Sequence, residues 1–341
     1  MIALTGCGGS GGGSGKTTAS SAPGSGARTG AGAGSGAAAG TYVNPVYNED
    51  FPDPAVLRVG TEYHAYGTQG AGRNIQTLSS PDLVHWRPGN DALPHLGAWA
   101  EIGSTWAPEV IAIGQTYAMY YVARASEQGV QCIGRATSAD PSGPFADKSA
   151  KPIVCQASLG GSIDANPIRA KDGALYLYWK NDGNCCGKPV HIWGQRLSAD
   201  GASLTGKPVA LMTNAKPWQG NLVEAPEMVA HGSAYTLFYS ANNYASADYG
   251  MGYATCRTPL GPCVDRSDAS IVPSNDAAAG PGHCYIVTTP GGAVWMLYHA
   301  WPPDAIGSTT PGRQLWMEPV TWHGDVPSVH PSQTDPQPAP R

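Results

Sequence analysis

The sequence predicts an all-β protein: a five-bladed β-propeller with four antiparallel strands in each blade. Three observations predict it. A short aromatic strand with period-2 alternation returns five times, as Tyr63-His64-Ala65-Tyr66, Tyr117-Ala118-Met119-Tyr120-Tyr121, Leu175-Tyr176-Leu177-Tyr178-Trp179, Tyr235-Thr236-Leu237-Phe238-Tyr239 and Val294-Trp295-Met296-Leu297-Tyr298. The steps between Tyr63, Tyr117, Tyr176, Tyr235 and Trp295 are 54, 59, 59 and 60 residues, with no convincing helical pattern between. About ten residues before each copy stands a proline-flanked or acidic strand start: Asp53-Pro54, Pro108-Glu109, Asp164-Ala165-Asn166-Pro167, Glu224-Ala225-Pro226 and Gly282-His283. Aromatic strands at a fixed long spacing mean radial repetition of small sheets. The competing reading is a β-sandwich in which the spacing is coincidental.

Composition agrees with that class. The 341-residue chain can bury a large core, and only 13% of it is charged, against roughly 25% in an average domain. Turn formers abound (45 Gly, 30 Pro), and 16 Tyr and 10 Trp far outnumber 3 Phe. Aromatics with a polar edge suit a protein that handles polar ligands.

Residues 1–40 differ. They hold fourteen of the glycines, and most of the rest are Ala, Ser and Thr, with no acid or aromatic. Such a segment buries too little apolar surface to order itself, so it is expected to be a disordered tether. Ser10-Gly11-Gly12-Gly13-Ser14-Gly15-Lys16-Thr17 imitates a phosphate loop but lacks its first Gly, and neither a strand nor a helix flanks it. Gly8-Gly9-Ser10-Gly11-Gly12 matches a nucleophile-elbow pattern through low complexity alone. Leu4-Thr5-Gly6-Cys7 resembles a bacterial lipobox, although only Met1-Ile2-Ala3 precede it. On that resemblance Cys7 would carry a lipid, and the protein would be extracytoplasmic, secreted or anchored to the envelope. The folded part is expected over 41–330 and a Pro-rich disordered tail over 331–341. Without Lys16 and Arg28 the remainder has 18 basic and 25 acidic residues, net −7, which argues against nucleic acid as a partner. No segment is apolar over a membrane-spanning length.

Eight cysteines exceed cytosolic usage. Cys256 with Cys263, and Cys132 with Cys155, are candidate disulfides. Cys185-Cys186 is a vicinal pair, one member of which is expected to reach Cys284. With no CxxC pair and no zinc-site His spacing, structural zinc is not expected.

The functional expectation centres on the stretch Asn44–Val56. Prolines on both sides of Asp53 restrict the backbone and hold one carboxylate at the mouth of a strand. In a propeller the innermost strand of each blade lines the central channel. Asp53, Asp164 and Glu224, at the strand starts of blades one, three and four, should therefore converge on one pocket. Gathered carboxylates with aromatics are what sugar hydrolysis requires. Asp50 and Glu227, three residues away from Asp53 and Glu224, are rivals expected to face away, because an odd offset turns a strand side chain to the other face.

Those segments carry a family resemblance. From Asn44 to Pro327 the chain resembles glycoside hydrolase family 43, through Asp50-Phe51-Pro52-Asp53-Pro54, Trp106-Ala107-Pro108-Glu109, Ser162-Ile163-Asp164, Val223-Glu224-Ala225-Pro226, Gly282-His283 and Gly312-Arg313 with Trp322-His323-Gly324. The resemblance implies an inverting glycosidase of the arabinofuranosidase or xylosidase kind, acting on plant cell-wall saccharides. Asp53 would be the general base, Glu224 the general acid, and Asp164 the group that orients Glu224 and tunes its pKa. Base and acid would stand roughly 6.5–9.5 Å apart. Trp106, His283 and Arg313 would contact substrate, and His283 is also where the family places a channel histidine that binds water or calcium. No cofactor is implied beyond such a structural ion, and the enzyme would act as a monomer. Two departures are Ala225, where Gly is usual, and Ala165-Asn166-Pro167, where Pro commonly follows directly. The alternative from another class is a propeller that binds glycans without cleaving them.

Overall fold

The computed structural model describes residues 40–341. The tether, its two look-alike motifs and Cys7 lie outside the described residues. Nineteen strands form five antiparallel sheets, each in chain order. Blade one is Ala55–Val59, Glu62–Gly67, Gln76–Ser80 and Arg87–Pro88. Blade three is Ser162–Arg169, Leu175–Asn181, Ile192–Leu197 and Leu204–Met212. Blade four is Val223–His231, Ala234–Ala241, Gly250–Cys256 and Cys263–Asp265, and blade five is Ala279–Thr288, Val294–Trp301, Gln314–His323 and Val326–Val329. Blade two has three strands, Ala100–Ile113, Thr116–Ala125 and Gln131–Ser138. The fourth place there is taken only by single bridges, Thr137 with Ala146 and Ile133 with Val154. Pro141, Pro144 and Pro152 in that stretch lack the N–H a ladder needs.

Each innermost strand touches the innermost strand of the next blade, and that of blade five touches that of blade one, so the ring closes after five. The aromatic strands explain why. Their alternation buries both faces: Met119 and Tyr121 pack toward blade one, Ala118, Tyr120 and Val122 toward blade three. In blade five, Trp295 and Leu297 meet blade one, while Met296 and Tyr298 meet blade four. Five apolar layers thus lie between five blades. Tyrosine hydroxyls reach across them to outer turns of the next blade, Tyr120 to the Gly201 carbonyl (2.7 Å) and Tyr178 to that of Pro259 (2.9 Å).

The ring is sealed by the first described residues. Val46 and Phe51 donate to the carbonyls of Leu315 and Arg313 in blade five. The Asn44 side chain makes three buried bonds, to the Met317 carbonyl (2.9 Å), the Met317 amide (2.9 Å) and Glu318 (3.0 Å). The chain end corrects one expectation: 331–341 is not a disordered tail, because Gln337–Pro338 pairs with Thr41–Tyr42.

Cys132–Cys155 and Cys256–Cys263 are bonded as expected. Cys185 and Cys186 are bonded to each other, and Cys284 is a free buried thiol. The expected link to Cys284 is therefore wrong, since Cys284 points into the sheet core between blades four and five.

Candidate active site

One backbone feature repeats at the mouth of the channel. Asp53, Ala107, Asp164, Ala225 and His283, one per blade, all have positive φ, between 43° and 58°. Left-handed conformations of non-glycine residues cost about 1–3 kcal/mol each, and they persist only where the surroundings impose them. In blades two to five the strand register shifts beside this kink. The kink turns the residue it contains toward the channel mouth.

The repeat places the acids differently from the sequence expectation in one respect. Asp53 and Asp164 sit on the kink, whereas Glu224 stands one residue before it, level with Trp106. Two residues past the kink the side chains of Glu109, Asn166 and Glu227 form a second, deeper layer. Asn166 Nδ2 donates to Glu109 (2.9 Å) and Glu227 (2.6 Å), and Glu227 accepts from the Ile286 amide (3.0 Å). Burial pushes the Glu227 carboxyl up to about 8, and burial with the Glu227 charge lifts Glu109. Glu227 therefore does not turn to the other face, because the bulge between Glu224 and Glu227 breaks the alternation. It points into the channel below the pocket. Asp50 lies behind Arg313 and accepts from its amide (2.9 Å).

Asp53, Asp164, Glu224, Trp106, His283 and Arg313 line a single cavity of about 370 Å³. Asp53 Oδ1 accepts from Arg313 Nη1 (2.9 Å) and lies 3.4 Å from His283 Nδ1 and 3.3 Å from His299 Nδ1. Thr68 donates to Oδ2. Burial alone would raise the Asp53 carboxyl, but Arg313, His283 and His299 outweigh it and hold its pKa well below the ordinary range. His299 accepts the Asp53 amide at Nδ1 (3.1 Å), and burial, with Arg313 nearby, lowers its pKa to about 4.

Asp164 Oδ2 accepts from the Ala225 amide (2.9 Å), so it grips the peptide that follows Glu224. Burial raises its pKa to about 6, with His283 opposing and the charge of Glu224 adding. Glu224 accepts from Lys180 Nζ at Oε2 (2.9 Å) and from the Tyr249 hydroxyl at Oε1 (2.8 Å). Lys180, 1% exposed, also faces Asp182 at 3.6 Å. Gly282 makes room for Tyr249, because a Cβ there would lie 2.0 Å from its ring. Arg313 is held over Tyr244 and Trp301 by cation–π contacts at 5.1 and 5.9 Å. His283 is fixed by its amide bond to Ser240 (2.8 Å). Among the described residues no three His, Cys, Asp or Glu side chains gather as metal ligands. His283 faces two carboxylates, Asp53, which Arg313 already engages, and Asp164.

Thr68, Lys180, Tyr249 and His299 were not singled out in the sequence. Three of them share a signal: Thr68, Lys180 and His299, like Ser240, put a polar group within two residues of the end of an aromatic second strand. Each lies opposite the residue just before a kink, as the pairs Lys180–Ile163, Ser240–Glu224 and His299–Gly282 show.

The matches to known proteins fit this geometry. Residues 42–327 match the model of glycosyl hydrolases family 43. The chain belongs to that family. It is 31% identical to a thermostable family-43 glycoside hydrolase of solved structure, with a TM-score of 0.81 over 88% of this chain and 99% of that one. It is 28% identical to an endo-1,4-β-xylanase structure from Bacteroides thetaiotaomicron (TM-score 0.73; 87% and 99% covered). Among curated proteins it is 26% identical over 270 residues, 75% of each chain, to a β-D-galactofuranosidase of Aspergillus niger. This family 43 chain is a glycosidase, which sets aside the non-catalytic glycan-binding alternative.

Proposed function

We propose that this family 43 enzyme removes α-L-arabinofuranosyl or β-xylosyl units from plant cell-wall saccharides with inversion, using Asp53 as base and Glu224 as acid. The observation that carries this reading is the meeting of Asp53, Asp164 and Glu224, from three blades, on one cavity. Asp53, kept ionised chiefly by Arg313, takes the proton from a water attacking the anomeric carbon. Glu224 protonates the departing oxygen, and Asp164 positions it through the Ala225 amide. Trp106 offers an apolar face to the sugar, and Arg313 and His283 offer donors to its hydroxyls.

The three disulfides favour an oxidising, extracytoplasmic location, secreted or anchored through Cys7, with the enzyme acting as a monomer. Among the described residues no helix is long and apolar enough to cross a membrane. The test is hydrolysis of nitrophenyl α-L-arabinofuranoside, β-D-xyloside and β-D-galactofuranoside by wild type, Asp53→Ala and Glu224→Ala. Turnover of one of the first two, lost in both variants, supports the reading. Preference for the galactofuranoside overturns the sugar assignment, and equal activity in all three proteins overturns the mechanism.

A further inference from the structure

The connection between the second and third strands of blade three holds a short 3-10 turn, Gly183–Cys186, in which the two adjacent cysteines are joined. Sulfur-bonded sequence neighbours close an eight-membered ring. It has no side-chain hydrogen-bond donor and presents two polarisable sulfurs. Both cysteines are exposed, whereas each of the other disulfides has a buried half, Cys132 or Cys256. Cys185 and Asn184 also line the cavity that contains Asp53 and Glu224.

The turn is fixed from below. Asn181 Nδ2 donates to the carbonyls of Leu159 (3.1 Å) and Pro189 (2.9 Å), and Lys188 Nζ to that of Ser158 (2.8 Å). A Cβ on Gly160 would lie 2.4 Å from the Asp182 carbonyl, so the loop rests directly on that glycine. The turn also rises on the acid's side of the cavity. Lys180, which bonds Glu224, and Asp182, which faces Lys180, immediately precede it.

We propose that the Cys185–Cys186 ring is a substrate-contacting surface that seats the C–H face of the sugar on the leaving-group side of the scissile bond. Asn184 stands beside it to meet that sugar's hydroxyls. The position follows from two facts: the ring is exposed, not buried with Asp53, and it follows directly on Lys180 and Asp182, the residues that stand at Glu224, where the leaving group departs. An apolar ring next to an amide matches a saccharide, whose C–H faces adjoin hydroxyl edges. The proposal rests on the acid role given to Glu224.

The test compares wild type with the Cys185→Ala/Cys186→Ala double variant on xylobiose or α-1,5-arabinobiose, and on the nitrophenyl glycoside of the same sugar. The disaccharide KM should rise by about tenfold with kcat within about twofold, the scale of one lost apolar contact in a pocket. The nitrophenyl KM should move at least about threefold less. Dithiothreitol, closing to its own cyclic disulfide as Cys185 and Cys186 become thiols, should raise the wild-type disaccharide KM likewise and leave that of the double variant where it was. Unchanged KM values, equal shifts for both substrates, or equal effects of reductant on both proteins overturn the proposal while the glycosidase reading stands. A wild type that cleaves none of these substrates overturns both.

Discussion

Asp53 keeps its charge in a buried place chiefly because Arg313 donates to one of its oxygens, with His283 Nδ1 3.4 Å from the same atom. The proposed base therefore stays ionised below the pH at which an ordinary carboxyl takes up its proton, so Asp53→Ala should lower kcat by about 10²–10⁴-fold, and the melting temperature should fall too because Arg313 loses its buried carboxylate. Asp164 is the opposite case. Its folded pKa, raised to about 6, exceeds the ordinary carboxyl value, so the folded state binds that proton more tightly than the unfolded chain. Its contribution to stability is complete below about pH 4 and is lost as pH rises through 6, on the order of 2–3 kcal/mol. Asp164→Asn should therefore gain stability relative to wild type between pH 4 and 7, read as urea midpoints at both pH values, while activity falls. A variant that tracks wild type at both pH values would refute the assignment.

At the scale of the element, the kink in each innermost strand sets what the channel receives. Ala107 adopts φ 43° with no catalytic group to justify it, so Ala107→Gly should stabilise the fold by about 0.5–1 kcal/mol and leave turnover intact. Gly282→Ala should do the reverse, displacing Tyr249 and with it the bond to Glu224; a loss of both stability and kcat is expected, measured by thermal melting and initial rates. The kink also marks what a sequence can and cannot display. Proline after Asp53 and Ala225 announces a distorted strand start, and the acids there are visible. The bulge that follows is not, so counting alternation from Glu224 put Glu227 on the wrong face. Lys180 and His299 were legible in principle, as charged or titratable residues near the ends of otherwise aromatic strands. What hid them is that their partners, Glu224 and Asp53, come from other blades.

For the whole molecule, five nearly equal steps between aromatic strands were enough to give blade number and order, because strands buried on both faces need apolar residues at every position. The ring's closure was harder to read. It depends on Asn44 and on the pairing of Thr41–Tyr42 with Gln337–Pro338, short polar segments without periodicity. Asn44→Ala removes three buried bonds and takes from the Met317 amide its Asn44 acceptor, while the Met317 carbonyl keeps the Tyr42 hydroxyl, so it should cost roughly 1–3 kcal/mol by denaturant titration, with KM little changed in the protein that remains folded. The pocket itself belongs to this scale, since Asp53, Glu224 and Asp164 meet only when the ring closes. Proton NMR of the first sugar released, recorded before mutarotation, tests that arrangement most directly. The account predicts a product of anomeric configuration opposite to the substrate's, as a water placed between Asp53 and the sugar requires; a product that keeps the substrate's configuration would contradict it.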